Sequence, residues 1–152
     1  DARRYPAIDP LESWSKYPSV VDEAELDEAR RMLREGSEVG QMMKVVGEEG
    51  TSIEDFIVYL KSEYLDSVYL QQNAFNDVDA ATPVARQKYV FSFIFRLLKT
   101  KLKFSDQEAA RGFFQTLTQS TRDWNQTVFE SDEFKKQEEQ LDHQIAEVTD
   151  YA

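Results

Sequence analysis

Helix-breaking residues are scarce in this chain and unevenly placed. Its 152 residues include only four prolines and five glycines, and three of the prolines fall within the first 18 residues. A proline pushes the residue before it out of the helical region, so the opening stretch is predicted to be extended or turn-like. After Pro18 the composition shifts to helix formers, and Pro83 suits the first turn of a helix. We therefore predict an extended segment at residues 1–20 and a helical domain at residues 21–152.

Apolar residues in the first half of that domain recur at three- and four-residue spacing, which is typical of helices with one buried face. A helix is predicted from Asp22, with Gly47 as its C-terminal cap. Gly36 and Gly40 weaken this helix, so a break there stays open. Ser52 is predicted to be the N-cap of a second helix that ends near Gln71 and buries an aromatic-rich face.

The second half of the domain continues the helical pattern. Aromatic residues alternate over Tyr89–Phe95 as they would in a strand, but the apolar pattern runs on to Leu102, far beyond strand length. We therefore predict a centrally buried helix there. Asp106 is predicted to cap a further helix whose buried face reaches Val128, and the polar chain from Ser131 is predicted to form a solvated surface helix. The fold predicted is all-α, a single bundle of about five helices after an extended N-terminal segment.

The composition excludes several classes of function. The net charge of −11 opposes a broad nucleic-acid surface, and the absence of cysteine excludes disulfides and thiol nucleophiles. The single histidine, His143, excludes a multi-histidine metal site and is predicted to face solvent on a polar helix. No apolar run reaches the roughly 18–20 residues of a membrane span, so direct membrane insertion is not expected. No phosphate loop, esterase elbow or zinc-protease motif occurs, so we predict no catalytic residue and no metal site in this chain.

Charge is distributed unevenly along the second half of the chain. Residues 83–111 hold seven basic and two acidic side chains, whereas residues 112–152 hold three basic and nine acidic ones. We expect these two regions to pair with one another or with solvent.

Two segments resemble a known family. The first is Arg3–Leu11, which reads RRYPAIDPL and is followed by SWSKY, and the second is Tyr69–Asp79, which reads YLQQNAFNDVD. Together they resemble the C-terminal region of the catalytic A subunit of V-type and A-type rotary ATPases, whose second motif reads LQQNAFDDVD. The resemblance extends from about Arg3 to Phe114. Pro10 stands where that family usually has tryptophan, which is more similar to the beta subunit of F-type ATPases and suggests an uncommon bacterial branch.

The resemblance implies that this chain is a fragment, the C-terminal helical domain of an ATP-hydrolysing or ATP-synthesising subunit. The phosphate loop, the catalytic glutamate and the Mg²⁺ site would then belong to a preceding nucleotide domain. Tyr5 matches the position whose ring stacks on adenine, with Pro6 beside it. Stacking of this kind contributes about 1–3 kcal/mol. The segment that would close the other side of the base of ATP or ADP comprises Gln71, Gln72, Asn73, Ala74 and Phe75.

The acidic loop Gly47–Asp55 falls where the F-type beta subunit carries its rotor-contacting loop. By this resemblance the residues that would face the central stalk are Glu48, Glu49, Glu54 and Asp55. From the residues alone, acidic side chains at a helix start are favourable simply because they complement the helix dipole.

The resemblance also implies partners and a location. The partners would be the ATPase B subunit and other A subunits in a heterohexamer, together with the central stalk rotor. The location would be cytoplasmic, as a peripheral part of a membrane-bound complex. The alternative is a stand-alone acidic helical module that binds a basic partner and has no nucleotide role. In either case we expect the isolated chain to fold without hydrolysing ATP.

Overall fold

The computed structural model describes residues 23–71, 83–128 and 130–150. The helices in this part of the chain are α1 (Glu23–Val46), α2 (Ile53–Leu65), α3 (Pro83–Lys99), α4 (Gln107–Asn125) and α5 (Asp132–Val148). A short 3₁₀ helix, Glu48–Gly50, lies between α1 and α2, and a π-helical segment, Asp66–Gln71, extends α2. Within these described ranges there is no strand, and the prediction of an all-α fold is confirmed. The predicted extended segment, residues 1–20, lies outside them.

Side-chain caps fix the starts of α2, α4 and α5. Ser52, Asp106 and Ser131 each accept a hydrogen bond from the backbone N–H three residues further on, at 3.1, 2.8 and 3.1 Å. The caps predicted at Ser52 and Asp106 are confirmed. A side-chain cap typically contributes about 1 kcal/mol because it satisfies an otherwise unpaired donor of the first turn.

Helix α1 continues without interruption through Gly36 and Gly40, so the break left open by the sequence does not occur. A Cβ atom at Gly36 would lie 2.0 Å from the hydroxyl oxygen of Ser62, and one at Gly40 would lie 3.1 Å from the ring of Tyr59. The two glycines therefore let α2 approach α1 closely. Packing across this crossing offsets the helix-propensity cost of glycine, about 1 kcal/mol at each position.

Helix α3 lies at the centre of the core, as its apolar sequence predicts. The side chains that it buries are Val90, Phe91, Phe93, Ile94, Phe95, Leu97 and Leu98. The helix ends at Lys99, and Leu102 follows in an extended stretch that forms an isolated antiparallel bridge with Thr149. Leu102 is still buried, so its apolar character was read correctly, but the helix does not extend to it.

Two expectations for the C-terminal third are wrong. Val128 is 74% exposed, because α4 ends at Asn125 and its buried face ends at Trp124 and Asn125. Helix α5 is more than a solvated surface helix, because it buries Phe134 and Leu141. The indole N–H of Trp124 donates to the Phe134 carbonyl at 3.1 Å, which joins α4 to the start of α5.

The predicted pairing between the basic region, residues 83–111, and the acidic C-terminal region, residues 112–152, is found in part. Arg96 pairs with Asp142 at 3.4 Å and Lys101 with Asp150 at 3.8 Å, so part of the basic region does meet the acidic C-terminal region. Arg111 instead pairs with an acidic residue of the loop that precedes α2. His143 is exposed, as predicted.

Candidate functional site

The loop between α1 and α2 is the predicted site that the structure describes most fully. Gly47 has φ 81°, a conformation that suits glycine, and it turns the chain out of α1. The 3₁₀ turn is closed by the Thr51 hydroxyl, which donates to the Gly47 carbonyl at 3.0 Å, and Ser52 then caps α2. Thr51 itself is buried. The loop is therefore a compact, internally bonded turn that projects between two helices.

The four predicted acidic residues lie in two successive turns, the 3₁₀ turn and the first turn of α2, and their surroundings differ. Glu48, Glu49 and Glu54 are exposed, whereas Asp55 is half-buried in the first turn of α2. Glu48 forms an ion pair with Arg111 of α4. The four carboxylates are thus not equivalent.

The N-terminal end of α4 braces this loop. The Gln107 amide donates to the Glu48 carbonyl at 3.0 Å and to the Thr51 carbonyl at 2.6 Å. The guanidinium of Arg111 lies 5.2 Å from the ring centre of Phe56 in α2. Its hydrogen bond to Glu48 raises the pKa of Arg111 above its ordinary value, so the group stays charged.

Sequence reasoning missed Gln107 and Arg111 as members of this site. Gln107 is 56 and 59 residues away from the two residues whose carbonyls it contacts, and Arg111 is 63 residues from Glu48. Polar side chains in the first turns of a helix are common, and their partners across the bundle depend on how the helices pack. Nothing in the local sequence distinguishes these two residues.

The C-terminal end of α4 holds the other end of α2. The hydroxyl groups of Tyr64 and Thr121 lie 2.9 Å apart in a hydrogen bond that is buried in the core. Burial raises the pKa of the Tyr64 hydroxyl well above its ordinary value, so it stays protonated. Arg122 donates to the hydroxyl of Ser67 in the π-helical segment.

Only one of the predicted adenine-site residues lies in the described part of the chain. Gln71 is the last residue of the π-helical segment. Tyr5, Pro6 and the residues Gln72, Asn73, Ala74 and Phe75 lie outside the described residues. A π-helical turn at the end of an α-helix is rare and often found near functional sites, and here it leads directly into the predicted segment.

A further cross-helix contact lies between the two ends of α2. The ammonium of Lys61 donates to the carbonyls of Leu98 and Thr100 at 3.0 and 2.7 Å, at the C-terminal end of α3. A cation is favourable there because the last carbonyls of a helix lack partners within it. Burial nevertheless lowers the pKa of Lys61 to about 8, because the charged form loses contact with water.

Metal sites and membrane spans are absent from the described ranges. Residues 23–71, 83–128 and 130–150 contain no cluster of three acidic or histidine side chains arranged to hold a metal ion. None of the helices that the structure describes has the length and apolar character needed to cross a bilayer.

Comparison with known proteins gives a consistent result. A family model described as the C-terminal domain of V and A type ATP synthase matches residues 24–111. The chain is 52% identical over 141 residues to the V-type ATP synthase alpha chain 1 of Treponema pallidum, covering 93% of this chain and 24% of that protein. It is 51% identical over 150 residues to the V-type ATP synthase alpha chain of Treponema denticola, and the match covers 99% of this chain and 26% of that protein.

A similar match is found in a third spirochaete. The chain is 49% identical over 151 residues to the V-type ATP synthase alpha chain of Borreliella burgdorferi, covering 99% of this chain and 26% of that protein. The chain thus spans about a quarter of the length of these curated relatives. A comparison with the solved structures finds no significant match.

Proposed function

The chain belongs to the family of C-terminal domains of V- and A-type ATP synthases, and on this premise we propose that it serves the catalytic A subunit, or alpha chain, of a bacterial rotary ion-translocating ATPase. The family that the two sequence motifs indicated is thereby confirmed. In this proposal the domain contributes the adenine side of the nucleotide pocket and the loop that faces the rotor. The observation that carries it is the identity of about half the residues over nearly the whole chain to V-type alpha chains.

The alternative, a stand-alone acidic interaction module, is not favoured. The match to the alpha chains covers 93–99% of this chain and so leaves no substantial segment that is peculiar to a separate module. Nothing in the loop, the caps or the core of the described helices requires a different family.

The adenine role rests on the chemistry of the residues. An aromatic ring at Tyr5 can stack on a purine, and the amides of Gln71, Gln72 and Asn73 can donate to and accept from the purine edge. These groups fit the base of ATP or ADP. Mg²⁺ and the phosphates would be held by the nucleotide domain that the family carries elsewhere, and the residues here would hold and orient the base.

The rotor role rests on the geometry of the acidic loop. Glu48 and Glu49 lie in the 3₁₀ turn, and Glu54 and Asp55 lie in the first turn of α2 that follows it. Gln107 and Arg111 of α4 brace the 3₁₀ turn. A braced turn can transmit force to α2 and α4 without first unfolding. The proposed partners are therefore the central stalk at this loop, and the B and other A subunits of a heterohexamer around it, in a cytoplasmic complex that is peripheral to the membrane.

The adenine assignment is tested by Tyr5→Ala in the full-length subunit assembled with its B partner. We expect the KM for ATP to rise by roughly 5- to 150-fold, which corresponds to the loss of about 1–3 kcal/mol of stacking, with a smaller fall in kcat. The control is Tyr5→Phe, which keeps the aromatic ring and should retain the KM. A KM unchanged by Tyr5→Ala would contradict the assignment.

A further inference from the structure

The end of α2 changes its helical register in a segment whose own sequence does not require the change. Residues Ile53–Leu65 are α-helical, and Asp66–Gln71 are π-helical. In a π-turn the backbone hydrogen bonds span five residues instead of four, and such turns are rare. The segment reads DSVYLQ and contains neither glycine nor proline, so its sequence does not exclude the α-helical register. Contacts with other parts of the fold therefore have to favour the π-helical register.

Two successive residues of α4 supply such contacts. The guanidinium of Arg122 donates to the hydroxyl of Ser67, the second residue of the π-helical segment, and this hydrogen bond is partly buried. The hydroxyl of Thr121 forms the buried hydrogen bond to Tyr64, three residues before Ser67. Residues 121 and 122 of α4 thus hold one position on each side of the point at which the register of α2 changes.

The hydrogen bond to Ser67 is the more selective of the contacts made by the π-helical segment. Val68, the next residue, is fully buried in the core, but an apolar side chain can be accommodated over a range of positions. A hydrogen bond from a charged guanidinium is directional and is stronger than one between neutral groups. The contact between Arg122 and Ser67 is therefore the one that best distinguishes the two registers.

The register determines how the chain leaves α2. Successive residues of an α-helix are separated by about 100° around its axis, because there are about 3.6 residues in each turn. A turn that holds one more residue therefore rotates the start of the following chain by roughly 100° relative to an uninterrupted α-helix. The predicted adenine segment, Gln71–Phe75, begins at the last residue of this turn.

We propose that Arg122 is a positioning residue, which selects the π-helical register of Asp66–Gln71 through its hydrogen bond to Ser67 and so sets the direction in which the chain leaves α2. The choice of register depends only on residues of this chain, whereas its consequence for nucleotide binding rests on the proposed adenine role of Gln71–Phe75. Without the contact, the segment is divided between the two registers. Only the π-helical fraction then binds the base, so the apparent affinity falls in proportion.

The register is tested in the full-length subunit assembled with its B partner, by a density map that resolves the backbone of residues 62–71. We expect Ser67→Ala and Arg122→Gln each to convert the segment to an α-helix, with amides donating to carbonyls four residues earlier instead of five. Ser67→Thr keeps the hydroxyl and should keep the π-helical register. Gln119→Ala is a matched control one turn earlier on α4, because the Gln119 amide donates to Asp123 of the same helix at 3.0 Å.

The consequence for nucleotide binding is tested by the steady-state kinetics of the same assemblies. We expect Ser67→Ala and Arg122→Gln each to raise the KM for ATP roughly tenfold, with a smaller fall in kcat. The double variant should raise the KM no further than either single variant, because both changes break the same contact. Ser67→Thr and Gln119→Ala should retain the KM of the wild type.

The two measurements separate this inference from the proposed function. A segment that stays π-helical in both Ser67→Ala and Arg122→Gln would overturn the inference. A shift to the α-helical register with an unchanged KM would overturn the positioning role, and the adenine role would still stand if Tyr5→Ala raises the KM. A KM unchanged by Tyr5→Ala as well would reject the adenine role itself, while the map would still decide which contact selects the register.

Discussion

The two ends of α4 both hold α2, but they do so with different kinds of contact. At the N-terminal end Gln107 and Arg111 contact the acidic loop through groups that are exposed or partly buried, among them the half-exposed carboxylate of Glu48. At the C-terminal end Tyr64 and Thr121 share a hydrogen bond inside the core. Surface polar contacts contribute little to stability and break easily, whereas a buried hydrogen bond is costly to break. One end of α2 is thus anchored in the core; the other is braced by contacts that water reaches in part, and we call it the adjustable end.

This difference suits the proposed function. A loop that meets a rotating partner has to change its contacts repeatedly, and contacts that are exposed to water can re-form at little cost. The anchored end, with Arg122 on Ser67, lies next to the π-helical segment that leads to the predicted adenine residues. The end of α2 next to the predicted adenine residues is therefore held more firmly than the loop proposed to face the rotor.

The largest effect is expected from breaking the buried hydrogen bond at the anchored end. Tyr64→Phe or Thr121→Val should each lower the free energy of unfolding by about 1–3 kcal/mol, because each leaves its partner hydroxyl buried without a hydrogen bond. Urea denaturation of the purified chain measures this.

The double variant provides the control for this pair. Replacing both hydroxyl groups leaves neither unsatisfied, so the combined loss should be clearly smaller than the sum of the single losses. Strictly additive losses would show that the two hydroxyl groups do not act as a pair, and the anchored end would have to be sought elsewhere.

A smaller effect is expected at the adjustable end. Arg111→Gln removes the ion pair with Glu48 and should lower the free energy of unfolding by less than about 1 kcal/mol. The same change should raise the amide hydrogen-exchange rates of residues 48–51 while leaving those around Thr121 unchanged. A loss of global stability as large as that of Tyr64→Phe would erase the distinction between the two ends.

A further effect, confined to alkaline pH, is expected from Lys61, which lies between the two ends. Its pKa is about 8 in the folded chain against 10.5 for the ordinary value, so the unfolded chain binds more protons between these two pH values. Stability contributed through this group therefore rises with pH across this window, and it is lost as the pH falls through about 8.

Lys61→Met isolates this titration from the other groups that change charge in the same range. The variant removes the donor to the Leu98 and Thr100 carbonyls at every pH. The informative quantity is therefore how the difference in unfolding free energy between the two proteins changes with pH, and not its value at any one pH. The wild type should gain stability relative to Lys61→Met as the pH is raised from 8 to 10.5. Parallel pH profiles of unfolding free energy would contradict a lowered pKa.

Much of the fold could be predicted because its signals are local. The caps at Ser52 and Asp106 and the turn at Gly47 depend on residues within one helical turn of each other. The burial of α3 could be predicted because its own apolar residues occur on all sides of the helix. A helix of that kind has to lie in the hydrophobic core. By contrast, Val128 was misplaced because it continues an apolar pattern beyond the point where α4 ends.

Part of the candidate site could also be predicted, but from a family resemblance and not from local signals in the sequence. The acidic residues of the loop and the adenine segment were identified by resemblance to a family, since neither charge nor amides at those positions imply a role by themselves. The residues that brace the loop, Gln107 and Arg111, could not be found in this way. Their significance comes from contact with a segment 56–63 residues earlier in the chain.

The class of fold, the starts of most helices and the family follow from the amino-acid sequence alone, because periodicity, capping residues and short motifs are all contained within a few residues. How the helices meet depends on the tertiary structure. It shows that Gly36 and Gly40 permit a close crossing instead of a break, and that α4 holds α2 by a contact in the core at one end and by partly exposed contacts at the other. These features depend on which side chains meet across the bundle, and such contacts arise only when distant segments pack together.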